Sequence, residues 1–138
     1  MKNILQIGFG PLGIQIGKYI AQKSTVRTVA GVDINPSLSD VSLSELDDSL
    51  SKDVIICNTV KKALDSLVDK PDVAIITTVS NLEMLIPQIE EVAQFGIPII
   101  STCEELSYPW ELQPELSKKI DKICKQNNIP CLGTGVNP

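Results

Sequence analysis

The segment that most constrains this chain is Gly8-Phe9-Gly10-Pro11-Leu12-Gly13, because of what stands on either side of it. An apolar run, Ile4 to Ile7, leads in, and Ile14, Ile16, Tyr19 and Ile20 follow at helical spacing. A strand that enters a Gly-x-Gly-x-x-Gly turn and leaves it as a helix is the opening unit of a nucleotide-binding α/β sheet. In that unit Gly8 permits the tight turn and Gly10 lets the backbone approach a pyrophosphate. Gly13 lets the helix lie close to the sheet, with Gly17 one turn on extending that contact. Free amides at the helix N-terminus would face the phosphates. Pro11 is tolerated in the first helical turn, where no intrahelical partner awaits its nitrogen, although it removes one possible phosphate donor.

The second apolar run, Val26 to Val32, ends on Asp33, 20 residues past Gly13. An acidic side chain there is placed to accept hydrogen bonds from both hydroxyls of an adenosine ribose and to repel a 2′-phosphate. NAD is therefore favoured over NADP as cofactor, with NADP left open. Asp33 also suits the turn that Asn35-Pro36 announces, and the two roles are compatible.

Beyond that turn, Ser37 to Ser51 is polar with thinly spaced Val41, Leu43, Leu46 and Leu50, which reads as a loop carrying a weak helix. Strands are expected at Val54 to Cys57, Val73 to Thr78, Ile97 to Ser101 and Ile129 to Leu132, and helices at Val60 to Val68, from Leu82 to about Phe95, and from Pro114 to Asn127. Pro87 lies inside the second of these helices and should bend it or push its start later. Short, continuously apolar strands alternating with helices argue for a doubly wound parallel sheet of about six strands with helices on both faces, an α/β Rossmann fold. At 138 residues this is one domain, residues 1–138. Its last residues, Gly133 to Pro138, follow directly on the sixth strand, where such a sheet binds its ligand, and this leads us to expect a substrate domain beyond this chain.

Composition excludes several alternatives. The formal charge is −5 with no basic stripe, so nucleic acid is not an expected partner. No apolar run reaches the roughly 18 residues of a membrane span, and the N-terminus lacks the features of a signal peptide, so a cytoplasmic protein is expected. There is no histidine, which removes the commonest general base and metal ligand, and no metal site is expected. Cys57, Cys103, Cys124 and Cys131 stand apart with no Cys-x-x-Cys pair, as reduced thiols of a cytosolic protein would.

In this topology the carboxyl ends of the central strands line the ligand crevice. Thr77-Thr78-Val79-Ser80 and Ser101-Thr102-Cys103-Glu104-Glu105 close two of those strands, so Thr77, Thr78, Val79, Ser80, Thr102 and Cys103 join the candidate cofactor contacts with Gly8, Phe9, Gly10, Pro11, Leu12, Gly13 and Asp33. Ser80 equally suits a helix cap, and Glu104 and Glu105 a solvated loop. As a pair in a crevice the two glutamates would suit a cationic amine or proton transfer, because like charges sharing a site raise each other's pKa.

The order of elements resembles the N-terminal domain of the dihydrodipicolinate reductase-like oxidoreductases. GFGPLG, Lys70-Pro71-Asp72, STCEELSYPW from Ser101 to Trp110 and LGTGVNP from Leu132 to Pro138 are similar to the diaminopentanoate dehydrogenase family among them. The resemblance implies NAD- or NADP-dependent oxidative deamination of a small diamino acid in ornithine fermentation, by a homo-oligomer in the full-length protein. It implies that Glu104, Glu105 and Asn137 contact the substrate, that Val136 lies against the nicotinamide, and that the general acid and base lie in the absent substrate domain. A chain of this extent is then expected to bind a dinucleotide without turning over. A related reductase, such as a dihydrodipicolinate reductase or a homoserine dehydrogenase-like enzyme, and a non-catalytic NAD-sensing module remain open at this point.

Overall fold

The computed structural model describes residues 1–78, 82–102 and 114–133. Six parallel strands form one sheet: β1 (Lys2–Ile7), β2 (Val26–Val32), β3 (Ile56–Cys57), β4 (Val73–Ile76), β5 (Ile99–Ser101) and β6 (Cys131–Gly133). Their spatial order is β3-β2-β1-β4-β5-β6, the doubly wound order, in which the chain reverses direction across the sheet between β1 and β4. The expected α/β fold with a parallel sheet is therefore the observed one.

Helices α1 (Pro11–Ala21), α2 (Val60–Asp65), α3 (Leu82–Ala93) and α4 (Pro114–Gln126) cover the sheet. The larger core lies beneath α2, α3 and α4, where Leu5, Ile7, Ala30, Val32, Ala74, Ile76 and Ile99 point from the strands. On the opposite face a smaller core joins Phe9, Leu43, Leu50, Val54 and Ile56.

One expectation is corrected, and one alternative is decided. Residues 37–51 hold no α-helix but a short 3₁₀ turn at Leu43–Glu45, preceded by another at Pro36–Leu38. Asn35 caps the first through its side-chain oxygen, and Ser42 and Glu45 form a capping box at the second. Side chains that bond their own backbone compete with a continuing helix, while Leu43 and Leu50 still find a core to enter. Pro87 does not delay α3, which starts at Leu82. Leu85, Ile86, Ile89 and Val92 are each no more than 4% exposed. Burying such side chains at about 1.5–3 kcal/mol apiece outweighs the roughly 3 kcal/mol cost of a proline in a helix interior.

Smaller differences are local. The α2 helix stops at Asp65, where the Ser66 hydroxyl donates to the Ala63 carbonyl, and Val68 beyond it is fully exposed. The end of α3 follows the expectation at Gly96, which takes the positive φ of 71° that its sequence position requires.

Candidate dinucleotide-binding site

At the carboxyl end of β1 the chain turns on Gly8, whose φ of 104° suits glycine, and whose amide donates to the Val32 carbonyl at 2.9 Å. A side chain there would also strike Thr77 and Thr78. Gly13 is fixed by space: a Cβ on it would lie 2.0 Å from the Gly8 carbonyl oxygen. Gly10 is the reverse case, since a Cβ there would meet nothing within 4 Å. The loop is thus closed toward the sheet at Gly8 and Gly13 and open outward at Gly10.

Gly10 caps α1 with extended backbone and Pro11 occupies the first helical position, as expected from the sequence. The first α-helical hydrogen bond runs from the Ile14 amide to the Gly10 carbonyl at 3.0 Å. The amides of Leu12 and Gly13 therefore precede the intrahelical ladder and carry the positive end of the helix dipole. Leu12 is half exposed beside them.

Asp33 stands at the carboxyl end of β2 and is held from two sides. Its Oδ2 accepts the Phe9 amide at 2.8 Å and its Oδ1 accepts the Asn35 amide at 2.9 Å. Each carboxylate oxygen retains acceptor capacity beyond that one bond. Phe9, expected among the cofactor contacts, has another place: its ring lies in the smaller core at 3% exposure, and its amide is committed to Asp33. Its contribution is to set the carboxylate.

Of the hydroxyls expected at this edge, those of Thr77 and Thr102 face backbone carbonyls, while that of Thr78 stays at the surface. Thr77 Oγ1 donates to the Gly8 carbonyl at 3.1 Å and lies 3.3 Å from that of Ile7, bracing the glycine loop from β4. Thr78 Oγ1 donates to Gln88 Oε1. The Thr102 amide donates to the Ile76 carbonyl at 3.1 Å, and its hydroxyl lies 3.5 Å from the same oxygen. Val79, Ser80, Cys103, Glu104, Glu105, Val136 and Asn137 lie outside the described residues.

Sequence reading missed Gln6, which sits inside the first apolar run and is 1% exposed. Its Nε2 donates to the Gly13 carbonyl at 3.0 Å and its Oε1 accepts the Thr28 hydroxyl at 2.7 Å, so it fastens the first turn of α1 to β1 and β2. The available signal was one polar residue in an otherwise apolar strand. Ile34, next to Asp33, was also missed: it is 80% exposed at the sheet's binding edge.

The described cysteines are free, and none has an activated thiol. Burial pushes the Cys57 and Cys124 thiols up, and burial reinforced by the neighbouring Cys124 pushes Cys131 up to about 12. No cluster of three or more potential metal ligands occurs among the described residues. No described helix is long and apolar enough to cross a membrane.

The fold has counterparts in known proteins. The chain is similar to 2,4-diaminopentanoate dehydrogenase. With that enzyme from Acetoanaerobium sticklandii it is 28% identical over 142 residues, which cover 99% of this chain and 38% of the relative. An amine dehydrogenase from Mycobacterium smegmatis superposes with a TM-score of 0.83 at 25% identity, over 96% of this chain and 39% of that one. The WlbA dehydrogenase from Bordetella pertussis, solved with NADH and UDP-GlcNAcA, shares the fold with a TM-score of 0.68 at 18% identity, over 96% of this chain and 36% of its own. No family model matches the chain. The chain spans about two fifths of the length of these relatives.

Proposed function

We propose that this chain is the dinucleotide-binding domain of an NAD(P)-dependent amine dehydrogenase that oxidatively deaminates 2,4-diaminopentanoate to 2-amino-4-oxopentanoate. The observation that carries the cofactor part is the pairing of an open Gly10 with an Asp33 carboxylate held by the amide of the adjacent Phe9. The similarity to 2,4-diaminopentanoate dehydrogenase carries the substrate part.

In this reading the amides of Leu12 and Gly13, with the dipole of α1, hold the pyrophosphate. Asp33 accepts from the adenosine ribose hydroxyls, and exposed Ile34 beside it offers an apolar surface to the base. The segments that follow β1, β2, β4 and β5, residues 8–13, 33–42, 77–78 and 102, contain no lysine or arginine. A 2′-phosphate would meet the Asp33 charge without a cation from these segments, so NAD is the favoured cofactor. Bound nicotinamide supplies the hydride acceptor for the carbon that carries the amine. Ammonia and the keto product leave after water adds. Glu104, Glu105 and Asn137 are proposed to hold the diamino acid, the two carboxylates pairing with its ammonium groups. The substrate domain and the acid–base groups are proposed to lie in the part of the relatives that this chain does not match.

The test is the full-length enzyme with NAD, NADP and 2,4-diaminopentanoate, following reduced cofactor and ammonia together. Stoichiometric appearance of both, faster with NAD, is the expected outcome. A protein that binds NADH but oxidises no amine would refute the substrate assignment and leave the cofactor site standing.

A further inference from the structure

At the end of β2 away from Asp33, a cavity of about 390 Å³ opens between the last turns of α1, the first residues of β2 and the segment 43–51. That volume lies in the range of small-molecule sites. It shares no lining residue with the glycine loop or Asp33, so it is separate from the crevice assigned to the cofactor.

Its floor is apolar. Ile20 from α1, with Leu43 and Leu50 from the segment before β3, line it while each is no more than 8% exposed, so the cavity reaches the edge of the smaller core. Gly17 keeps the floor open, since a Cβ there would come within 3.1 Å of the Leu50 side chain and 3.2 Å of Gln6 Oε1. The half-buried Thr28 hydroxyl on the wall is already committed to Gln6 Oε1 at 2.7 Å.

Its rim is cationic. Lys23, just past α1, and Arg27 on β2 line the cavity and are exposed. Arg27 Nε donates to Asn3 Oδ1 at 3.0 Å, which orients the guanidinium and leaves its terminal nitrogens for another acceptor. Neither Lys23 nor Arg27 has an ion pair among the described residues, and no carboxylate side chain lines the cavity. Asp47, close in sequence to the lining Ser49, is engaged by Lys18 at 3.7 Å and by Ser49 itself. In a chain of formal charge −5, two unpaired cations over an apolar floor form a site of the opposite sign.

We propose that this cavity binds a small organic acid, a single carboxylate on a short apolar body. The carboxylate pairs with Lys23 and the terminal nitrogens of Arg27, and the body lies over Ile20, Leu43 and Leu50. The charge-assisted bonds orient the head, and burial of the body supplies the affinity that an exposed ion pair lacks. An inorganic anion would use the cations alone, and a neutral apolar molecule the floor alone. The site stands independently of the substrate reading above, because nothing in it depends on an amine being oxidised.

The test uses the full-length protein and hexanoate, followed by saturation-transfer NMR on the hexanoate protons and by titration calorimetry. We expect hexanoate to bind about fivefold or more tighter than acetate, inorganic phosphate or neutral hexanamide, and to bind equally well when NADH is saturating. The double variant Lys23→Ser/Arg27→Ser should weaken hexanoate about fivefold or more and leave NADH affinity within about twofold, because both side chains are exposed and outside the crevice. Lys61→Ser/Lys125→Ser removes the same charge from two exposed ion pairs elsewhere and should change neither. Hexanoate binding that survives the loss of Lys23 and Arg27, or that NADH displaces, would overturn the assignment. So would acetate or phosphate binding as tightly as hexanoate, which would reduce the rim to a charged patch, and so would the absence of any transfer to hexanoate. If NADH itself does not bind, the cofactor reading fails on its own, and the comparison of hexanoate binding between wild type and the double variant still decides this site.

Discussion

A single methyl group distinguishes the two kinds of glycine in this loop. On Gly13 it would collide with the Gly8 carbonyl at 2.0 Å, and neither backbone segment can yield without moving α1 off the sheet. Gly13→Ala is expected to destabilise the domain by about 3 kcal/mol, lowering Tm by on the order of 10 °C in differential scanning calorimetry. On Gly10 the same methyl meets open space, so Gly10→Ala should leave Tm within about 1 °C and weaken NADH binding about tenfold or more by blocking the approach of a phosphate. A fold-only role for the loop predicts no loss of binding in Gly10→Ala. The closed position of Gly13 was legible in the sequence because glycine spacing encodes where backbone must pass close to something. The destination of the Phe9 amide was not legible, since it depends on Asp33 reaching across from the next strand.

Among the elements, the attachment of α1 to the sheet is the one that sequence patterning missed. Gln6 spans from β1 to both the Gly13 carbonyl and the Thr28 hydroxyl from a fully buried position. Replacing it with leucine removes both bonds and leaves the buried Gly13 carbonyl and the half-buried Thr28 hydroxyl without that partner, at a cost of about 1–3 kcal/mol. The urea midpoint of Gln6→Leu should fall accordingly with the m-value unchanged, and NADH affinity should fall with it as the first turn of α1 loosens. An unchanged midpoint would mean that Gln6 only fills space.

Elements with strong periodicity, such as α1, β2 and the inner stripe of α3, were readable because burial itself imposes the pattern. Residues 37–51 were not, because their order comes from Asn35, Ser42 and Glu45 bonding the nearby backbone, with apolar contacts made only by scattered leucines. Thr77, Thr78 and Thr102 stand where the sequence pattern puts them, just past the carboxyl ends of β4 and β5. Their hydroxyl directions follow from which carbonyl lies closest in the adjacent strand, which spacing along one chain does not encode.

For the molecule as a whole, strand order follows from right-handed crossovers and from the reversal that places β4 beside β1, so the position of the crevice could be inferred before any coordinate. Alkaline stability is another property of the packed whole. Burial, reinforced by the neighbouring Cys124, pushes the Cys131 thiol up from its ordinary 9.0 to about 12 in the folded protein. The folded state therefore holds a proton that the unfolded state releases, and stability is fully present below pH 9 and declines as pH rises from about 9 to 12. Cys131→Ala should flatten that decline in thermal melts recorded across the range. An unaltered slope would place the alkaline sensitivity elsewhere.

The central claim is that the glycine loop and Asp33 together bind a dinucleotide through its phosphates and adenosine ribose. Calorimetric titration with NADH and NADPH, on the protein and on Asp33→Asn, addresses it most directly. The account predicts tighter binding of NADH than of NADPH, and a loss of about tenfold or more in NADH affinity when the carboxylate charge is removed. Absence of heat with both nucleotides, or an NADH affinity indifferent to Asp33→Asn, would contradict it.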